Sequence, residues 1–502
     1  MIDNNTNIDS PRHLSTLLKK YFKYILLASI IYFPLFVHLD RLPIRIWDES
    51  RLAINAYEML NNNNFVVTHY DGKPDMWNTK PPLLVWIQVG FMKVLGVNEL
   101  TLRLPSALAA LATCAVLLIL ALRYLKSFWF GFIAIMVLIT SHGYINVHAT
   151  RTGDYDSLLT LFTTLSGLLF FLFCEYNNRK HLYLFFVFLT LSVLTKSING
   201  LLFLPGLLIY SIIRGKFIPL IKNKHLYFAL LSFVAIIMGY YLLREIQNPG
   251  YIAAVQQNEL GGRYLEVLEN HDHNFWYYIN NFKKFQLSTW YFLVPIGLLI
   301  GLFCKDIRIK RLTQFSGIMV FTFLLVISLS KTKLEWYDVP LYPFLAVLVA
   351  VSVYQLFLFL KNREWLTQKL HVNFIPYILL ILVFIGPYHK IFKKTFNPKE
   401  YPWHVEFYEI SYYLKNAVKG EHNLHGKHLL YDGYNAHNQF YINLLNDKGV
   451  NFSTKSWTDL REDDIVITHQ RKIKQHIDEH YNHEQVSQTG NVITYKIYGL
   501  KQ

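Results

Sequence analysis

The chain has 502 residues, 53% hydrophobic and 16% aromatic, with a formal charge of +15. A soluble chain of this length divides into two or three domains, but here the apolar residues gather in runs of about 16 to 24, roughly what a helix needs to cross ~30 Å of hydrocarbon. The Lys and Arg excess sits at the ends of those runs, which excludes a nucleic-acid partner and points to membrane topology.

About twenty polar residues precede the first apolar run and no small-residue cleavage site follows it, so that run is expected to stay as a span. Spans are expected near 21–39, 101–123, 128–147, 156–174, 181–195, 198–213, 225–243, 286–303, 314–330, 337–360 and 372–389, about eleven in all. Lys196 and Asn199 interrupt the pair 181–213, which reads as two spans with a very tight turn or as one broken element. Cys114, Cys174 and Cys304 lie in or beside apolar runs. Their spacing fits neither a zinc site nor a disulfide ladder, and they read as packing residues.

With the N-terminus inside, the inner loops hold Arg123 and Lys126, Arg179 and Lys180, Arg214 to Lys224, Lys305 to Arg311, and Lys361 to Lys369. Few acids accompany them: Glu175, Asp306 and Glu364. This is the positive-inside pattern, and it places residues 40–100, 244–285 and everything after about 390 outside. In the first outer segment, Leu52, Ala53, Ala56, Tyr57 and Leu60 share one helical face, and a second helix begins at Pro81-Pro82 and runs to about Leu95. Both are expected to lie along the outer membrane surface. Residues 391–502 alternate strands (426–433, 464–468, 492–498) with helices (435–445, 471–481), as a small extracytoplasmic α/β domain does. The fold class is thus an α-helical polytopic membrane protein, residues 1–390, carrying that domain.

Asp48 and Glu49 stand just past a span at the start of a helix. They read either as capping residues or as a general base, because a sugar-acceptor hydroxyl is a poor nucleophile until its proton is removed. Lys80, fixed by Pro81 and Pro82, reads as a snorkelling lysine or as a phosphate ligand. Asp156, at the lip of a span, is either a cap, as Asp154 is too, or a functional carboxylate. Lys196, Lys331 and Lys333 sit at outer span ends, where topology gives them no reason to be. With Arg51, Lys80 and Arg151 they are expected to form an outward-facing positive pocket suited to a lipid phosphate. Trp336, Tyr337 and Tyr342 form an interfacial aromatic set at the entrance to the next span.

The series Asp48-Glu49-Ser50-Arg51, Lys80-Pro81-Pro82, Arg103-Leu104-Pro105-Ser106, Arg151 through Asp156, Leu194-Thr195-Lys196 and Lys331 through Pro343 resembles the lipid-carrier-dependent GT-C glycosyltransferases. Among these it is most similar to the bacterial aminoarabinose transferases that modify lipid A and to the protein O-mannosyltransferase superfamily, over roughly residues 20–390. The resemblance implies a polyprenyl-phosphate sugar donor, an acceptor lipid, glycan or protein, and an active site on the outer face of the bacterial inner membrane. It implies Asp48 as the catalytic carboxylate and no cofactor or catalytic metal. It further implies Glu49, Arg51, Lys80, Arg151, Asp156, Lys196, Lys331 and Tyr337 as the groups around the substrates. The chain departs from the aminoarabinose transferases at Leu52, where they carry Tyr, and at Thr79, where they carry an acid that is a possible metal ligand. His271 and His273 alone do not restore a metal site.

Two other classes fit a polytopic chain less well. A lipid-linked sugar transporter or flippase places charges near the bilayer midplane and often shows two similar halves, whereas here the charges gather at one face and no repeat is visible. A non-enzymatic envelope assembly protein has no need of the acids and bases on the outer face.

Overall fold

The computed structural model describes residues 11–261, 271–363 and 374–501. Glu364 and Lys369, the first two residues of the last expected span, and residues 262–270 of the second outer segment lie outside the described residues.

Helices α1 (Pro11–Phe36), α2 (Asp48–Asn62), α3 (Leu83–Leu95), α4 (Glu99–Leu120), α5 (Phe128–Thr140), α6 (Tyr155–Tyr176) and α7 (Arg179–Lys196) open the chain. Their boundaries follow local chemistry. A capping box between Asn98 and Thr101 starts α4, and the Ser127 hydroxyl accepts from the Phe130 amide at the start of α5. A helix stands at each expected span. Seven are long and apolar enough to cross a membrane: Glu99–Leu125, Tyr155–Tyr176, Arg179–Leu201, Lys224–Gln247, Ile307–Leu329, Glu335–Lys361 and Ile375–Phe396. The other four, Tyr21–Phe36, Phe128–Thr140, Leu204–Ile213 and Leu293–Leu302, are shorter. The count of about eleven spans is therefore not established, since apolar composition continues through turns that end the helices. The break at Lys196 is where the sequence placed it: α7 ends there, Ser197 takes φ 50°, and a single 3₁₀ turn leads on to Leu204.

The helix Tyr342–Lys361 is buried over most of its length and packs on α5, Leu293–Leu302, Ile307–Leu329 and Ile375–Phe396. Gly297 makes the closest of these approaches possible, because a Cβ there would run into the Leu348 carbonyl.

Of the outer helices, α2 has its apolar face covered by protein. It is held between α3 and the C-terminal helix Ala436–Asp447, and buries Leu52, Ala53, Ile54, Ala56 and Met59 in one cluster with Ile442 and Leu445. Its amphipathic face was legible, but periodicity does not say what covers that face.

After Phe396 the chain forms a small β-rich unit. Strand Lys427–Leu430 pairs in parallel with Phe452–Lys455 on one side and Ile465–Thr468 on the other. Ile465–Thr468 pairs antiparallel with Val492–Leu500, whose other neighbour is the edge strand Tyr481–Thr489. The sequence reading had missed strands Phe452–Lys455 and Tyr481–Thr489 and the helix Pro402–Val418. The edge strand carries Asn482, Glu484, Gln485 and Gln488 on mostly exposed positions, so no apolar alternation marked it.

Candidate active site

Asp48 is the first residue of α2. The residue before it, Trp47, occupies the cap position with φ 71° and ψ −118°, and no side chain caps the helix. The strained Trp47 backbone is held from outside: its ring stacks on Tyr434 at 4.9 Å, the Ile46 amide donates to the Tyr408 hydroxyl at 3.1 Å, and the Ile44 amide donates to the Tyr441 hydroxyl at 3.0 Å. Arg45 makes a bidentate pair with Glu400, 2.7 Å on each arm. All four partners lie in the C-terminal region.

Glu49 corrects the reading of its role. It was expected beside the substrate, yet it is completely buried. Its carboxylate accepts from Arg103 Nε at 2.6 Å and Nη2 at 2.8 Å, and from the amides of Arg45 and Gly153 at 2.8 Å each. Burial alone would raise its pKa, but the Arg103 charge and these hydrogen bonds hold it below the usual carboxylate range. Arg103 also donates to the carbonyls of Leu39, Leu42 and Pro43. One buried pair thus ties the segment after α1, the start of α2, α4 and the turn at Gly153 together.

That turn brings up the other acids. Asp154 and Asp156 were weighed as caps of α6, and the Asp154 side chain makes no cap bond. Asp156 accepts from Lys196 Nζ at 2.6 and 2.7 Å on its two oxygens, both residues are buried, and the ammonium lies 5.5 Å from the Tyr337 ring centroid. Asp154 is buried too, and burial together with the nearby Asp48 and Glu49 charges pushes its pKa up to about 7, against the pull of His148. His148 was not singled out from the sequence. It takes φ 63°, its ring stacks on Trp336 at 3.8 Å, and its Nδ1 stands 3.9 Å from Asp48 Oδ2 and 3.5 Å from Asp154 Oδ2. Among the described residues Asp48, His148 and Asp154 are the group of ligand-type side chains gathered closely enough to hold a metal ion.

The expected ring of free cations is not what the fold builds. Arg51 forms a bidentate pair with Asp75 at 2.7 and 2.8 Å; burial opposes ionisation of that carboxyl, but Arg51 holds its pKa below the usual range. Lys80 pairs with Glu259 at 3.1 Å and lies 5.7 Å from the Tyr155 ring centroid. Arg151 spends its guanidinium on the carbonyls of Pro34, Leu35, Val37 and His38, where α1 ends, and Lys333 donates to the Ser330 carbonyl. Lys331 is exposed. The sequence reading missed Asp75 and Glu259 because each lies far along the chain from its cation.

A cavity of about 890 Å³ is lined by Trp47, His148 and Trp336 together with Lys394, Glu400 and Tyr408.

Residues 79–241 match the family model described as dolichyl-phosphate-mannose-protein mannosyltransferase. Two uncharacterized proteins of Aquifex aeolicus (strain VF5) are similar: one is 28% identical over 66% of this chain and 64% of its own length, the other 26% identical over 75% and 82%. The chain thus spans somewhat less than two thirds of the first relative. The crystal structure of ArnT from Cupriavidus metallidurans bound to undecaprenyl phosphate superposes with a TM-score of 0.68 at 14% identity, covering 95% of this chain and 98% of that one. The apo structure of the same protein gives 0.66 at 15% identity with the same coverage. The chain has the GT-C fold, the same as that of ArnT across nearly its whole length, and its residues 79–241 match the mannosyltransferase family model.

Proposed function

We propose that the protein is a glycosyltransferase that moves a sugar from a polyprenyl-phosphate carrier to an acceptor lipid, glycan or protein, with Asp48 as the catalytic carboxylate. The observation that carries this is the placement of Asp48. Its side chain is half-exposed between Trp47 and His148, which both line the cavity, while the acids around it are buried. A carboxylate held there can take the acceptor's proton while the carrier phosphate leaves. Both comparisons point to the same donor chemistry: undecaprenyl phosphate sits on ArnT, and the matching family is named for a dolichyl-phosphate sugar. Residues 1–390 form the transferase unit in this reading, and the β-rich unit after it sits over the site.

Lys80 and Arg51 are the proposed ligands of the carrier phosphate, with Lys196, Lys331 and Tyr337 on the same side; Arg151 supports the end of α1. Because Lys80 already faces Glu259, a phosphate reaching it must share or displace that carboxylate. Lys80→Ala should weaken carrier binding more than Lys80→Arg, since position and charge both matter. Titration of purified protein with undecaprenyl phosphate measures this, and an affinity unchanged by Lys80→Ala would remove the lysine from the site.

The proposed setting is a bacterial inner membrane with the site outside. The basic inner loops support it. Reporter fusions at Lys222 and Gly433 are expected to score opposite sides of the membrane; the same side for both would overturn the topology.

A further inference from the structure

We infer that Asp48, His148 and Asp154 form the binding site of one divalent transition-metal cation, an inference that rests on the placement of Asp48 at the transfer site. The three side chains come from separate places in the chain: the first residue of α2, the turn after α5 and the residue before α6. Each offers one ligand atom, and the three atoms lie within 4.8 Å of one another. The His148 Nδ1 distances are 3.9 Å to Asp48 Oδ2 and 3.5 Å to Asp154 Oδ2. Ligand bonds of ~2.0–2.2 Å put neighbouring donor atoms about 3–3.5 Å apart, so the two His148 pairs need to close by at most a few tenths of an ångström, and the two carboxylates approach by rotation of the half-exposed Asp48 side chain.

The charge balance points the same way. Four other buried carboxylates have their own cation: Glu49 has Arg103, Asp75 has Arg51, Asp156 has Lys196 and Glu259 has Lys80, whereas Asp338, like Asp154, has no Lys or Arg partner among the described residues. Asp154 is 1% exposed and has none among the described residues. Its Oδ2 takes the Thr152 hydroxyl, and its Oδ1 has no hydrogen-bond partner among the described residues; neither has His148 Nδ1. A buried carboxylate left in that state is costly, and no Lys or Arg among the described residues pairs with it. An imidazole nitrogen turned toward two carboxylates is a suitable third donor.

The donors run from buried Asp154 through His148 to half-exposed Asp48, so coordination positions stay open toward the cavity, as in catalytic rather than structural sites. The Trp336 ring, stacked on His148, fixes the imidazole plane. One imidazole with two carboxylates suits Mn²⁺ or Zn²⁺. An acceptor oxygen taking an open position on the ion is polarised by it.

The test uses full-length protein in lipid nanodiscs, stripped with EDTA and titrated with Mn²⁺, with the free ion followed by electron paramagnetic resonance. Wild type should bind one Mn²⁺ per chain. His148→Ala and Asp154→Asn should weaken binding at least ~10-fold, and His389→Ala, at an exposed histidine, should not. Metal-free Asp154→Asn should melt no lower than metal-free wild type, because it removes an uncompensated buried charge; this separates a ligand from a structural acid. No Mn²⁺ bound by wild type, or binding unchanged in both variants, overturns the inference. If Mn²⁺ binds as expected but no sugar is transferred from any polyprenyl-phosphate donor, the cation site stands and the transferase reading fails. Full transfer by stripped protein that binds no Mn²⁺ does the reverse.

Discussion

Asp48→Asn should reduce sugar transfer by at least ~100-fold, the low end of general-base effects, while expression, melting and carrier binding stay near wild type. The fold explains why the two outcomes separate. Asp48 is half-exposed and begins a helix whose place is set by Glu49, Arg103 and the C-terminal tyrosines. Removing its charge therefore removes little that holds the segment. An amide keeps the size of the side chain but cannot accept the acceptor's proton. Transfer measured with purified protein and a polyprenyl-phosphate sugar, beside a melting curve of the same preparation, decides the matter. Near-normal transfer by Asp48→Asn would end the assignment.

Glu49→Gln should do the opposite and cost folding rather than chemistry. Both oxygens are engaged, and the Arg103 charge is fully buried against them. Removing one partner of such a pair strands the other charge, at a cost of about 3–5 kcal/mol, against total stabilities of about 5–15 kcal/mol for typical proteins. Folded, monodisperse protein in detergent should fall sharply and what remains should melt lower. Arg103→Lys should fail as well, since one ammonium cannot reach Glu49 and the Leu39, Leu42 and Pro43 carbonyls together. Wild-type yield and melting for Glu49→Gln would show that the segment is held by something other than this pair.

What the sequence made legible follows from what each signal measures. Apolar runs and basic flanks report the partition between lipid and water, so the membrane class, the helix positions and the break at Lys196 could be read. The same runs do not report where a helix ends inside the apolar stretch, which is why the expected spans at 128–147, 198–213 and 286–303 became the short helices Phe128–Thr140, Leu204–Ile213 and Leu293–Leu302. Charge at a span end reports only that a charge must be accommodated. Arg51 and Lys80 were visible as cations out of place, but Asp75 and Glu259, which accommodate them, come from elsewhere in the chain. His148 carried no local signal at all: it becomes meaningful only when the turn after α5 folds against α2 and Trp336.

The clamp on residues 44–47 has a consequence for biosynthesis. Tyr441, Tyr408, Tyr434 and Glu400, which grip that segment, leave the ribosome several hundred residues after it. A nascent chain that has already inserted every helix of the bundle, and so carries Asp48, Asp154, Asp156, Lys80 and Lys196 in the membrane, still has the backbone before Asp48 ungripped. The site is completed from behind, once the β-rich unit has folded and closed over it. A chain whose C-terminal unit has not yet docked thus holds the whole set of candidate side chains without the geometry to use them.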